Sequence, residues 1–274
     1  MGFIDTFERK EVKHVLDARQ YEAIQRVLRE HMDVDAYGQT TITSVYYDTP
    51  GWDLIARSLE KPLYKEKLRV RVYGDDMGVK TAPAFVEIKK KYKGIVYKRR
   101  VCMTQAAVGE YFCGAPYELA QANHPLEDEL AREGALSAKS LQIAGEIDRF
   151  REFHGPLSAS MIIRVKRTAW APKPDAGEDF ATENLRITFD NDLQYCNLRE
   201  RRPAYRQLRG EGTTIMEVKA MGAMPSWLTD ALSEFKIFPS SFSKYGEAYK
   251  TIQMGEHKPA HAAHAATARK DIAC

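Results

Sequence analysis

The segment KLRVRVYG alternates strictly between apolar and charged side chains. Leu68, Val70 and Val72 share one face of the predicted strand, whereas Arg69 and Arg71 share the other. A period of two is typical of a β-strand, because successive side chains point to opposite faces of a sheet. This chain must therefore build a sheet with one apolar and one charged face.

The same pattern, with polar and charged residues at every second position and charges of both signs, recurs in other segments: Glu8 and Lys10, Glu87 and Lys89, Arg186, Thr188 and Asp190, and Glu217 and Lys219. Helical patterns lie between and after these strands, beginning with a helix that Asp17 caps. We count about eight strands, and they do not alternate regularly with helices. The sequence therefore predicts an α+β fold with a closed or nearly closed antiparallel barrel.

The basic charge is concentrated where strands are predicted. Residues 61–100 contain 13 Lys and Arg against 4 Asp and Glu, although the whole chain has a formal net charge of only +3. A solvated outer sheet face would explain one such strand. Several charged faces together favour a barrel interior that binds an anion, because buried cations need compensating charge. Carboxylates cannot bind phosphate but can hold a divalent cation, so the mixture indicates phosphate chains with metal.

The sequence lacks the motifs that mark several classes of enzyme. The sequence contains no GxxxxGK[ST], no GxGxxG after a strand and no GxSxG. No apolar run reaches the roughly 18 residues of a membrane helix, and the N-terminal segment does not resemble an export signal. We therefore expect a cytoplasmic protein with a domain over residues 1–254 and a disordered tail over 255–274, where periodicity is absent.

A series of segments resembles the VTC domain, the polyphosphate-polymerase domain of the vacuolar transporter chaperone complex. The series runs in order through FERKEVKHVL, YYDTP, KLRVRVYG, FVEIKKKYKGIVYKRR, IIRVKRTAW, LRITFDNDL, MEVKA and SFSKYGEAY. It covers roughly residues 7–250. The resemblance extends to the wider group of triphosphate tunnel metalloenzymes and CYTH proteins. It implies an antiparallel barrel that forms a basic tunnel for ATP phosphates and metal.

The resemblance also implies roles for individual residues. Those expected to bind the ATP phosphates are Arg69, Arg71, Lys89, Arg167 and Arg186. Glu217 resembles the metal-binding glutamate, with Lys219 beside it, and Glu8 and Glu87 are further metal candidates. Lys244 resembles a lysine that closes one tunnel mouth. Either Lys10 or Lys13 fills the inward position of the first strand.

The resemblance implies a metal-dependent, ATP-dependent polyphosphate polymerase with Mn²⁺ or Mg²⁺ as cofactor and ATP and polyphosphate as partners. A tripolyphosphatase or nucleoside triphosphatase of the same fold is the first alternative, because transfer to water uses the same charges. A non-catalytic module for polyphosphate or RNA is the second. We expect no nucleic-acid partner, because Glu87 shares the face of the lysine run and a simple nucleic-acid patch needs no carboxylate. A membrane partner and the oligomeric state stay open.

Overall fold

The computed structural model describes residues 9–93, 95–174 and 180–255. Its strands are β1 (Arg9–Leu16), β2 (Met32–Asp48), β3 (Tyr64–Tyr73), β4 (Pro83–Tyr92), β5 (Ile95–Thr104), β6 (Ser158–Pro172), β7 (Arg186–Asn197), β8 (Tyr205–Gln207) and β9 (Thr214–Met221). Its helices are α1 (Ala18–His31), α2 (Asp53–Leu59), α3 (Gln105–Phe112), α4 (Tyr117–Asn123), α5 (Glu129–Ala135), α6 (Ala138–His154), α7 (Phe180–Glu183), α8 (Ser226–Glu234) and α9 (Lys244–Gln253).

The fold combines helices with an antiparallel sheet, as predicted. Hydrogen bonds connect the strands in the order β1-β9-β7-β6-β2-β3-β4-β5, and β8 pairs with β7. Within the described residues, no pairing joins β1 to β5. The sheet of nine strands is therefore not closed, and the predicted barrel is not confirmed.

The two end strands have other contacts along their edges. The backbone N–H of Ser240 donates to the Lys13 carbonyl at 2.7 Å, and His14 forms an isolated bridge with Pro239. On β5, the Gln121 side-chain amide donates to the Cys102 carbonyl at 2.8 Å. Exposed edge groups favour association with other strands, so such contacts protect the sheet.

The chain divides into two compact units. Of the described residues, the first unit comprises 9–41, 165–174, 180–193 and 209–243, and the second comprises 42–93, 95–164, 194–208 and 244–255. In the first unit, the apolar faces of β7 and β9 form a core with α1 and α8; the residues that represent it are Ile187, Phe189, Met216, Val218, Ile24, Leu28 and Leu228. Arg186, Thr188 and Glu217 alternate with these core residues along the strands, as the period of two predicts.

The second unit has the same organisation. The apolar side chains of β3, β4 and β5 form a core with α3, α4 and α6; the residues that represent it are Leu68, Val70, Val86, Ile88, Val101, Val108, Ala120 and Ile147. Arg69 and Glu87 are the intervening residues on the opposite face. The predicted division of the strands into an apolar and a charged face is thus confirmed in each unit.

Local sequence signals place many of these elements. Asp17 caps α1 and forms a capping box with Gln20. Lys93, in the turn between β4 and β5, has a φ of 47°, the left-handed conformation common in tight hairpin turns. The prediction of a disordered tail falls, apart from Gly255, outside the described residues.

Candidate functional site

The charged face of the second unit is centred on Glu87. This residue lies directly opposite Arg69 in the β3–β4 register, and its side chain is only 1% exposed. Arg69 donates from Nε to Glu87 Oε2 at 2.7 Å, and its second terminal nitrogen lies 2.6 Å from the same oxygen. Arg71 Nε lies 4.0 Å from that oxygen. Two predicted phosphate-binding arginines therefore converge on one buried carboxylate.

Strand β5 adds two cations that our sequence analysis missed. Lys98 Nζ lies 3.0 Å from Glu87 Oε1, and Arg100 lies 3.9 Å from it. The signal was present in the hairpin, because the turn at Lys93 places Arg100 opposite Glu87 and Lys98 opposite Lys89. Pairing the strands outward from the turn would have found both residues.

These cations keep Glu87 ionised. Burial raises the pKa of its carboxyl group, but the positive charges of Arg69, Arg71 and Lys98 outweigh burial and lower the pKa to about 2. One carboxylate thus faces four cations. Because a single negative charge cannot balance them, the face retains positive charge and suits a polyanionic ligand.

A tyrosine completes the environment of Arg69. The guanidinium donates to the Tyr46 hydroxyl at 3.1 Å. Burial raises the pKa of Tyr46, but Arg69, Lys67 and Arg71 outweigh this effect and lower the pKa to about 7. Tyr46 can therefore act as a second anion beside Arg69 at slightly alkaline pH. Lys89, a further predicted phosphate ligand, lies opposite Lys67 on β3.

The start of α9 is attached to this same cluster. Lys244 is the first residue of the helix, and the ring of its neighbour Tyr245 stacks on the Tyr46 ring with centroids 4.3 Å apart. Lys67 Nζ lies 5.7 Å from the Tyr245 ring centroid. The structure therefore brings Lys244 to the neighbourhood of the arginine cluster within the second unit.

The charged face of the first unit is centred on Glu217. Lys219 Nζ lies 2.5 Å from Glu217 Oε1, and Lys13 Nζ lies 3.9 Å from Oε2. Burial raises the pKa of Glu217, but Lys219, Lys13 and Arg167 lower it to about 2. Lys13 is also opposite Glu217 in the β1–β9 register, whereas Lys10 is opposite Ala220. Lys13 is therefore the better candidate for the first-strand lysine.

Arg167 on β6 and Arg186 on β7 each have a carboxylate partner. Arg167 donates to both oxygens of Asp190, at 2.6 and 2.8 Å. Arg186 is half exposed and donates to Asp35 at 3.0 Å. Arg167 is close enough to Glu217 to lower the pKa of its carboxyl group. Arg186 is instead hydrogen-bonded to Asp35. The structure thus supplies both arginines with fixed partners, which sequence alone did not indicate.

A divalent cation fits beside Glu217 only together with phosphate. Within the described ranges, no three His, Cys, Asp or Glu side chains form a metal-binding group. Glu217 can supply one carboxylate, and Mg²⁺ is commonly held by one or two carboxylates plus substrate phosphates and water. Glu87 and Glu217 each contact cations through both oxygens, and the predicted metal role of each stays a prediction. Glu8 lies outside the described residues.

The comparison with protein families gives this geometry a context. The family model of the VTC domain matches residues 8–253. The chain belongs to the VTC domain family. The VTC domain is the polyphosphate-polymerase domain, so membership supports an enzymatic role in polyphosphate synthesis. The residues just described fall within the matched range.

No curated protein matches the chain. Among solved structures, the Schizosaccharomyces pombe Mediator head module contains a chain that is 11% identical, with 90% of this chain and 94% of that chain covered and a TM-score of 0.36. A similarity this low carries no argument about fold or function. Among the described residues, no helix has both the length and the hydropathy needed to cross a membrane.

Proposed function

We propose that this VTC domain protein is an ATP-dependent polyphosphate polymerase. The observation that carries the proposal is the cluster in which Arg69 and Arg71, both largely buried, share the single carboxylate of Glu87 with the more exposed Lys98 and Arg100. Because Arg69 and Arg71 are largely withdrawn from water and share one carboxylate, an added anion is favoured beside them. Arginine also matches phosphate oxygens with two parallel hydrogen bonds.

In the proposed reaction, Arg69, Arg71 and Lys89 bind the triphosphate of ATP and orient the γ-phosphate. A terminal oxygen of the growing chain attacks the γ-phosphorus in line. The bond from that phosphorus to the oxygen bridging the β- and γ-phosphates breaks, and ADP leaves with the electron pair. Phosphoryl transfer of this kind needs positioning and charge neutralisation more than a protein nucleophile.

The charged face of the first unit has a distinct proposed role. Glu217 would hold Mn²⁺ or Mg²⁺, which neutralises phosphate charge when bound. Lys219 and Lys13 keep the Glu217 carboxylate ionised, the state in which it binds a cation. Arg167 and Arg186 are proposed phosphate ligands, and each would have to exchange a carboxylate partner for phosphate. The tunnel implied by the resemblance stays a prediction.

The product formed from ATP distinguishes the candidate functions. Incubation with ATP and Mn²⁺ should give long, acid-labile phosphate chains and ADP. Free phosphate without chains would overturn the proposal and assign a hydrolase. Binding of polyphosphate with no turnover would assign a non-catalytic module.

The variant Glu217→Gln tests the separate role of the carboxylate. We expect it to abolish turnover while polyphosphate binding persists, because the cationic residues remain. Glu11→Gln is the matched control, since Glu11 lies 3.4 Å from the same Lys13 but is not a proposed metal ligand. Full turnover in Glu217→Gln would exclude this residue from the reaction.

A further inference from the structure

Exposed apolar residues cluster where β3 begins and where β4 turns into β5. Tyr64 lies opposite Tyr92, which in turn lies opposite Ile95, and the Tyr64 and Tyr92 rings are in edge contact. The exposed residues of this region, which we call the hairpin surface, are Leu63, Tyr64, Tyr92, Ile95, Val96 and Tyr97. Single exposed apolar residues are ordinary, whereas a contiguous group indicates an interaction surface.

The end of the hairpin is exposed on both faces. Ile95, Val96 and Tyr97 are consecutive residues of a strand, so their side chains alternate between the two faces. All three are nevertheless exposed, and Tyr97 retains 53% of its accessible surface. Further along β5, Val101 and Met103 are buried in the core of the second unit. The strand therefore extends beyond the helices that cover its apolar face.

Lysines surround these apolar residues. Segments 60–66 and 90–93 together contain five lysines and two glutamates. Lys93 Nζ lies 5.4 Å from the centroid of the Tyr92 ring. Lys65 lies opposite Lys91 in the β3–β4 register, and burial together with the charges of Lys91 and Lys61 lowers the pKa of Lys65. Of the two carboxylates, Glu66 contacts Lys90 at 3.8 Å and His154 at 3.2 Å.

We propose that the hairpin surface docks on an anionic lipid bilayer. Ile95, Val96 and Tyr97 would enter the headgroup region, and the surrounding lysines would contact the anionic headgroups. Aliphatic and aromatic residues within a ring of lysines are typical of surfaces that lie on such membranes. This inference does not depend on the proposed reaction.

Other partners fit the hairpin surface less well. A second copy of the chain, paired edge to edge along β5, would bring lysines of like charge together, which is unfavourable. A free polyanion such as RNA or polyphosphate would bind the lysines but would gain little from Ile95 and Val96. Of these partners, only one with both anionic and apolar regions contacts both the lysines and the exposed apolar residues favourably.

Sedimentation with lipid vesicles tests the proposal. The full chain should sediment with vesicles of equal parts phosphatidylcholine and phosphatidylglycerol, and much less with phosphatidylcholine alone. The double variant Lys91→Gln with Lys93→Gln should weaken binding about 25-fold, since each lysine near an anionic surface contributes a factor of about five. The double variant Ile95→Ser with Tyr97→Ser should also lose binding, and added salt should weaken binding of the unaltered protein.

Matched variants elsewhere in the second unit keep the test specific. Lys139→Gln with Arg201→Gln removes two exposed cations, and Leu130→Ser with Leu119→Ser removes two exposed apolar side chains. Both control pairs should bind vesicles like the unaltered protein, and circular dichroism should show all variants folded. Absence of vesicle binding, equal binding to neutral vesicles, or unchanged binding in both hairpin variants would overturn the proposal. A dimer that both hairpin variants dissociate would instead assign the surface to a second copy and also overturn it.

Discussion

The rings of Tyr46 and Tyr245 stack with their centroids 4.3 Å apart and their planes 17° from parallel. Each hydroxyl has a charged partner: Arg69 donates to Tyr46 at 3.1 Å, and Tyr245 donates to the Asp48 carboxylate at 2.7 Å. The stacked pair therefore connects the arginine cluster to the first turn of α9. Asp48 in turn accepts hydrogen bonds from the backbone N–H groups of Leu54 and Ile55 at the start of α2.

Tyr245→Phe should destabilise the protein while preserving the ring stack. The change removes the hydrogen bond to a buried carboxylate, and such bonds contribute about 1.5–3 kcal/mol. We expect a loss of that order in the free energy of unfolding, measured with urea. Tyr249→Phe is the control, because its ring lies on the same helix and contacts Trp52. An equal loss of unfolding free energy in both variants would mean that the hydrogen bond from Tyr245 to Asp48 contributes no more to stability than the Tyr249 hydroxyl does.

Tyr46 should titrate near neutral pH. Its pKa in the folded protein is about 7, against about 10 for tyrosine in an unfolded chain. An acid whose pKa falls on folding stabilises the folded state above its unfolded pKa, and this contribution is lost as pH falls through the folded pKa. The stability difference between the protein and Tyr46→Phe should therefore grow as pH rises from 7 to 10.

Phenolate absorbance checks the Tyr46 assignment directly. The unaltered protein should show one tyrosine ionising near pH 7, and that transition should be missing in Tyr46→Phe but present in Tyr37→Phe, which alters an exposed tyrosine. A neutral-pH transition that survives in Tyr46→Phe would assign it to another group.

Glu87→Gln should lower stability in the absence of ligand. The change leaves Arg69 and its neighbouring cations without their buried counter-charge, which typically costs about 3–5 kcal/mol. The pKa of Glu87 falls from 4.5 to about 2 on folding, so its contribution is complete above pH 4.5 and is lost as pH falls through 2. The difference in unfolding free energy between the unaltered protein and Glu87→Gln should therefore shrink as pH falls from 4.5 to 2.

Added tripolyphosphate provides a second check on Glu87→Gln. An anion that binds the freed cations should restore more stability to the variant than to the unaltered protein, because ligand binding to the folded state stabilises it. Equal stabilisation of both proteins would mean that Glu87 does not compete with phosphate for these cations.

Arg69→Ala and Arg71→Ala should each weaken triphosphate binding about 10- to 100-fold, because each loses a charge-assisted hydrogen bond. Lysine at either position should restore binding only in part, since the planar arginine geometry is lost. Calorimetric titration with ATP measures this effect. Arg99→Ala is the control: Arg99 lies on β5 but pairs with Glu146 at 2.7 Å. Unchanged affinity in both alanine variants would place these arginines outside the site.

Much of the fold was predictable because it depends on local patterns. The period of two assigned the faces of β3, β4, β7 and β9, and the Asp17 cap set the start of α1. By contrast, α2 was missed, because the side chain that caps its backbone N–H groups belongs to Asp48 at the end of the preceding strand. The closed or nearly closed barrel was expected from strand number, from the charged strand faces and from the family resemblance, whereas closure depends on which edges pair.

The candidate site also combines features that local sequence sets with contacts that only the tertiary structure sets. The sequence by itself determined that Arg69, Arg71 and Glu87 share a face and that the chain resembles the VTC domain, because side-chain alternation and motif order are properties of the chain. Only the tertiary structure decided that Arg69 bonds to Glu87 and Tyr46, that Arg167 bonds to Asp190, and that Tyr245 attaches the start of α9 to Tyr46. These contacts join residues distant in sequence, and the free energy of each depends on burial and distance, which a linear pattern does not specify.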